Sequence, residues 1–100
     1  MGDEDWTERF AAQGIEGWYV RESTARTDIS CGTFTAAGEL AARVAAACDE
    51  LDHHAEIDVR YPDVLRVTTW SHDVGGLSER DLWLARAVNR LFEEQRTETG

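Results

Sequence analysis

The chain has 100 residues, 42% hydrophobic and 9% aromatic, enough for one domain with a single modest core and too apolar for a disordered chain. Its net charge of −10, from 20 acidic against 10 basic residues, argues against nucleic acid and against an anionic membrane surface, since both demand a basic face. No apolar run approaches the roughly 18 residues of a membrane span, and Met1-Gly2-Asp3-Glu4-Asp5 is acidic where a secretory signal is basic, so a cytoplasmic location is expected.

The first predicted element is a short helix over 5–12. Asp3 or Asp5 is its expected N-cap, Trp6, Phe10 and Ala11 share a face, and Gly14 closes it. Trp18-Tyr19-Val20 reads as a strand by its aromatic and β-branched content. Glu22 to Ala25 reads as a turn, and Arg26 to Cys31 as a second strand completing a hairpin. Cys31 and Cys48 are too few and too isolated for a disulfide framework or a zinc finger. They are expected as reduced, packed thiols, with a single disulfide as the alternative.

Thr35 is expected to cap a long helix from Ala36 to Leu51, with Ala37, Leu40, Val44, Ala47, Cys48 and Leu51 on one buried stripe. Ile57, Val59 and Tyr61 alternate with Glu56, Asp58 and Arg60, the period of a half-buried strand. Tyr61-Pro62-Asp63 reads as a turn, and Val64 to Trp70 as a fourth strand with Leu65, Val67 and Thr69 on one face. Gly75-Gly76 breaks it. Ser78 then caps a last helix to about Glu94, with Asp81 completing a capping box and Leu84, Ala85, Val88, Leu91 and Phe92 forming its core stripe. Residues 95–100 are expected to fray. The order α-β-β-α-β-β-α, over a single domain spanning 1–100, predicts a two-layer α+β sandwich: a four-stranded antiparallel sheet with three helices on one face.

All three histidines fall at junctions between these segments. His53 and His54 follow the second helix, and His72 follows the fourth strand. Histidine is the side chain best suited to moving protons near neutral pH, so their positions suggest a site. Asp49 and His53 are spaced i, i+4 and share a side of the helix if it extends that far, away from the core stripe. They form either a carboxylate–imidazole pair or a solvated helix end where histidine answers the dipole. Asp81 falls within the inward stripe of its helix, and a buried carboxylate is costly unless satisfied. It is either the capping partner of Ser78 or an anchor for a ligand or a histidine. A zinc site of three histidines is disfavoured, because adjacent histidines rarely aim at one ion and no His-Glu-x-x-His pair occurs. Neither a phosphate-binding glycine loop nor a diagnostic nucleophile motif is present.

Asp49-x-x-x-His53-His54-Ala55, Tyr61, and Thr69-Trp70-Ser71-His72-Asp73-Val74-Gly75-Gly76-Leu77-Ser78-Glu79-Arg80-Asp81 resemble the pterin-4a-carbinolamine dehydratase family. Its pattern is an acidic residue, three spacers, His-His-Pro, an aromatic, a third histidine and Gly-Leu-Ser/Thr-Glu-Arg-Asp. Gly17-Trp18 and Phe34 also look like the family's N-terminal half, so the resemblance spans roughly residues 14 to 93. It implies a lyase that dehydrates 4a-hydroxytetrahydrobiopterin to quinonoid dihydropterin and water, recycling the cofactor of aromatic amino acid hydroxylases. It also implies that His53, His54 and His72 are catalytic and that Asp49 and Asp81 bind substrate. The pterin is then the substrate, no cofactor or metal is called for, and a homodimer or homotetramer is expected. His72 and one of the adjacent pair would exchange the two protons, each general acid or base step contributing about 10²–10⁴-fold.

Three positions depart from the pattern: Ala55 replaces the proline, Asp49 is shorter than glutamate, and the stretch from Tyr61 to His72 is one residue longer. In a strand an extra residue flips the face, so a bulge near Trp70-Ser71 is expected to restore the aim of His72. Two other readings compete. A non-catalytic interaction or assembly module would bind a partner through its helices, with Trp83 and Ala87 projecting from the last helix as contact residues or as ordinary packing. A metal-dependent hydrolase would need stoichiometric zinc.

Overall fold

The computed structural model describes residues 2–99. Its elements run α1 (Asp3–Ala12), β1 (Trp18–Arg21), β2 (Thr24–Ser30), α2 (Phe34–Leu51), β3 (Glu56–Arg60), β4 (Val64–Thr69), a 3-10 turn (His72–Val74) and α3 (Glu79–Thr99). The strands form one antiparallel sheet in the order β1-β2-β4-β3. Inward residues Ala25, Thr27 and Ile29 of β2 and Leu65, Val67 and Thr69 of β4 alternate with exposed or half-buried neighbours, the signature of a sheet covered on one face. The expected α+β sandwich is the observed one.

Two apolar clusters fill the layer between sheet and helices. One joins Leu40, Val44 and Cys48 of α2 to Leu84 and Val88 of α3, over Ile29, Leu65 and Val67. The other joins Trp6 and Phe10 of α1 to Leu82 and Ala85 of α3, with Ile15, Ala25 and Leu77. All three helices thus lie on the same side. Cys31 and Cys48 are both free thiols, half-buried and buried respectively. Burial holds each above the ordinary thiol range.

Several boundaries differ from the sequence expectation, each for a local reason. Neither Asp3 nor Asp5 caps α1, because Gly2 occupies the cap position and offers no side chain. The Asp3 carboxylate instead accepts from the Glu22 and Ser23 amides at 2.8 and 3.1 Å. That holds a two-residue turn in which both residues have positive φ (51° and 65°), the hairpin geometry that suits strand twist. The turn is therefore shorter than Glu22–Ala25, and Thr24 and Ala25 belong to β2. Thr33, not Thr35, caps α2, its hydroxyl accepting from the Ala36 amide at 3.0 Å. Val59 and Tyr61 are 39% and 87% exposed rather than inward. β3 is an edge strand of which only Ile57 reaches the core, and Tyr61 sits beyond it against Phe34, ring centroids 6.4 Å apart. The last helix also runs past its expected end near Glu94. α3 continues to Thr99, and Gln95 is buried, its Nε2 donating to the Ala36 carbonyl at 2.9 Å; Gly100 lies outside the described residues.

Candidate active site

Three chain segments meet at Asp81: the end of α2, the end of β4 and the first turn of α3. α2 closes with Asp52 in the left-handed region (φ 51°, ψ 43°). The His53 amide then donates to the Cys48 carbonyl at 3.0 Å and the Asp52 amide to the Asp49 carbonyl at 3.2 Å. Those two bonds are the Schellman closure, with aspartate where glycine is commonest. The reversal ends the helical register before His53, so the expected pairing of Asp49 with His53 does not form. Asp49 instead meets His54, Oδ1 to Nε2 at 2.9 Å, in solvent. His53 turns inward and is 7% exposed.

There it meets Asp81, which is fully buried, at 2.7 Å between Nε2 and Oδ1. Thr69 Oγ1 donates to the same carboxylate oxygen at 2.5 Å. The other oxygen, Oδ2, accepts from Ser71 Oγ at 2.8 Å and from the Ser78 amide at 2.9 Å. The last bond is half of the expected capping box, with the Arg80 amide donating to Ser78 Oγ at 3.3 Å. Both readings of Asp81 thus hold together: it caps α3 and anchors a histidine.

Proton counting orients the network. Ser71 gives its only hydroxyl hydrogen to Asp81, so Ser78 Oγ must be the donor in the 2.6 Å contact between the two serines. Thr69 likewise gives its hydrogen to Asp81, so His53 Nε2 carries a proton and donates it to the carboxylate. In neutral His53 the lone pair is therefore on Nδ1. Among the described residues that atom has no protein partner, yet it is not one of their sealed, unsatisfied polar atoms. A carboxylate has about four acceptor directions, and Asp81 receives four protein donors. Its acceptor directions are thus engaged by the protein's own donors.

The expected bulge before His72 is absent. The β2–β4 register runs unbroken to Ala25↔Thr69 and the β3–β4 register to Glu56↔Thr68. Ser71 keeps an extended backbone (φ −108°, ψ 106°) and is 1% exposed, continuing the inward phase of Leu65, Val67 and Thr69. Its amide donates to the Gly76 carbonyl at 2.7 Å, closing the loop that carries the 3-10 turn. Trp70 and His72 consequently share the outward phase and touch, ring centroids 4.7 Å apart. Beyond them Arg80 Nη2 donates to Asp73 Oδ1 at 2.6 Å. That bond, more than any other influence, holds the Asp73 carboxyl below its ordinary value.

Thr69, Ser71 and Trp70 are the functional candidates that sequence reasoning passed over. For Thr69 and Ser71 the available signal was a pair of polar residues at inward positions of β4 and its continuation. Among the described residues, no group of three or more His, Cys, Asp or Glu side chains is disposed to hold a metal ion. No helix among them is long and apolar enough to cross a membrane.

The fold is thus a two-layer α+β sandwich with a carboxylate sealed beneath a histidine at a helix junction. The model of the family described as pterin 4 alpha carbinolamine dehydratase matches residues 1–91, and the chain belongs to that family. A protein of Herpetosiphon aurantiacus, provisionally named as a pterin-4-alpha-carbinolamine dehydratase, is 36% identical over 82 residues, covering 82% of this chain and 84% of its own. One from Mycobacterium tuberculosis with the same provisional name is 32% identical over 82 residues, covering 82% and 86%. The crystal structure of a transcriptional coactivator/pterin dehydratase from Brucella melitensis shares the fold, with a TM-score of 0.78 and 24% identity over 91% of this chain and 96% of that one.

Proposed function

We propose that the protein is a lyase that dehydrates 4a-hydroxytetrahydrobiopterin to quinonoid dihydropterin and water by histidine acid–base catalysis. The observation that carries this reading is the buried His53–Asp81 pair, which leaves a lone pair at His53 Nδ1 and a negative charge behind the ring. In the reaction the bond between carbon 4a and its hydroxyl oxygen breaks, and its electron pair leaves with the oxygen. The neighbouring ring nitrogen loses a proton and forms the new double bond to carbon 4a. His53 takes that proton at Nδ1, and Asp81 balances the positive charge the ring acquires, the same division of labour as in an Asp–His pair of a hydrolase triad. The imidazolium returns the proton to the departing oxygen on the adjacent atom, so water leaves and the site is restored.

His72 meets the substrate from the neighbouring turn. His54, exposed beside Asp49, holds the pterin at the solvent edge. Asp81 acts through His53 as a positioning residue. The product is the form that a reductase would reduce to the tetrahydropterin an aromatic amino acid hydroxylase uses. The test is a dehydration assay on 4a-hydroxytetrahydropterin with wild type, His53→Ala, His54→Ala and His72→Ala. Wild type is expected to exceed the spontaneous rate, with His53→Ala losing about 10²–10⁴-fold and His54→Ala changing KM more than kcat. Wild-type turnover no faster than the spontaneous reaction would sink the proposal.

One observation favours a second role for the helical layer. Trp83 is 47% exposed on a groove of about 480 Å³ where Ala47, Leu51, Trp83 and Ala87 are flanked by Glu50, Arg86 and Arg90. An exposed tryptophan beside small residues suits a subunit or partner contact, in line with a homodimer or homotetramer. Sedimentation of Trp83→Ala against wild type tests it, and an unchanged mass would remove Trp83 from the interface.

A further inference from the structure

His53 and His72 have opposite polarity, and a residue outside the matched histidine–aspartate set sets the second. An indole N–H only donates. Trp70 Nε1 donates to His72 Nδ1 at 3.2 Å, so Nδ1 must be the unprotonated nitrogen, and the neutral ring carries its proton on Nε2. The contact follows from the backbone. Ser71 is tied to Gly76 through its amide and to Asp81 through its hydroxyl. Those ties fix the extended geometry that puts Trp70 and His72 on one side of the chain with their rings together. His53 is the mirror case: Asp81 accepts from Nε2, and Nδ1 is left as the lone pair.

We infer that Trp70 is a positioning residue that fixes the tautomer of His72, so that His72 presents an Nε2–H donor, not a lone pair, to the leaving hydroxyl oxygen. Substrate would then be gripped by two imidazoles of opposite sense, with the base at His53 Nδ1 facing the ring nitrogen and the donor at His72 Nε2 facing the oxygen. The hydrogen bond to that oxygen strengthens as the carbon–oxygen bond breaks and negative charge collects there, so it acts on kcat more than on KM. A lone pair at the same position would repel the departing oxygen. The role at the oxygen rests on the dehydratase reading, whereas the tautomer does not.

The experiment uses Trp70→Phe, which keeps a ring against His72 and removes only the N–H. Long-range proton–nitrogen correlation NMR on histidine-labelled protein at about pH 8, where an ordinary imidazole is neutral, reads the two nitrogens of His72 without any substrate. Wild type is expected to show a pyridine-type Nδ1 and a pyrrole-type Nε2, and Trp70→Phe a mixture of the two tautomers. In the dehydration assay Trp70→Phe should lose roughly tenfold in kcat, the scale of one hydrogen bond, with KM nearly unchanged and no further loss when combined with His72→Ala. A pyrrole-type Nδ1 in wild type, or a tautomer balance that Trp70→Phe does not move, overturns the inference. An inactive wild type with the expected nitrogen signals would instead leave Trp70 as the group that sets His72 and remove only the dehydratase reading.

Discussion

At Asp81 a charge with no solvent contact is balanced entirely by hydrogen bonds from three chain segments. An uncompensated buried ion costs several kcal/mol, so each donor matters beyond its own bond. Thr69→Val keeps the shape and removes one donor. It should lower unfolding stability by about 1–2 kcal/mol in urea titration, while Thr68→Val, one residue away on the outward phase, should stay within about 0.5 kcal/mol of wild type. Equal effects at the two positions would mean the carboxylate does not depend on its donors. Asp73 shows the opposite regime, an exposed carboxyl depressed below its ordinary 3.8 chiefly by the Arg80 hydrogen bond. A group lowered in the folded state adds stability above its unfolded value and loses it as pH falls through the folded one. By NMR, Asp73 should therefore titrate with a midpoint below 3.8 in wild type and move back toward it in Arg80→Gln. The same midpoint in both would remove Arg80 as the cause.

The end of α2 decides which histidine enters the protein, and it does so through one residue. Asp52 at positive φ turns the chain so that His53 goes inward and His54 outward. Glycine takes that conformation without steric cost, whereas a β-branched residue does not. Asp52→Gly should leave the pairing intact and hold or raise stability by up to about 1 kcal/mol, while Asp52→Val should cost about 1–3 kcal/mol and reduce dehydration with it. A fully stable, fully active Asp52→Val would show that the helix end does not aim His53. This closure was also where sequence reasoning stopped. The stripe Ala37-Leu40-Val44-Ala47-Cys48 was legible because 3.6-residue periodicity is a property of the sequence itself. The exchange of partners between Asp49 and the two histidines was not, because i, i+4 spacing assumes a helix that a single left-handed residue ends. The supposed bulge failed for the opposite reason. Polar Thr69 and Ser71 occupy inward positions that only Asp81, from another element, makes tolerable, so the strand phase continues where the apolar pattern has stopped.

For the whole molecule, the fold brings its chemistry to the place where the covered side of the sheet meets the first turn of α3. The alternation of strands and helices fixed the architecture in advance, because burial on one face demands it. What could not be foreseen was the edge: Val59 and Tyr61 follow the inward period, yet at β3 there is little layer left to cover them. The site's logic, in contrast, depends on pairs far apart in sequence, and His53 with Asp81 is the pair on which the proposed reaction turns. If Asp81 acts only by orienting and balancing His53, the two residues form one unit, and their losses cannot multiply. The direct measurement is kcat for dehydration of 4a-hydroxytetrahydropterin in wild type, His53→Ala, Asp81→Asn and the double variant, each checked for native fold by circular dichroism. We predict that the double variant is no slower than the slower single one. Losses that multiply, or a His53→Ala enzyme as fast as wild type, would contradict it.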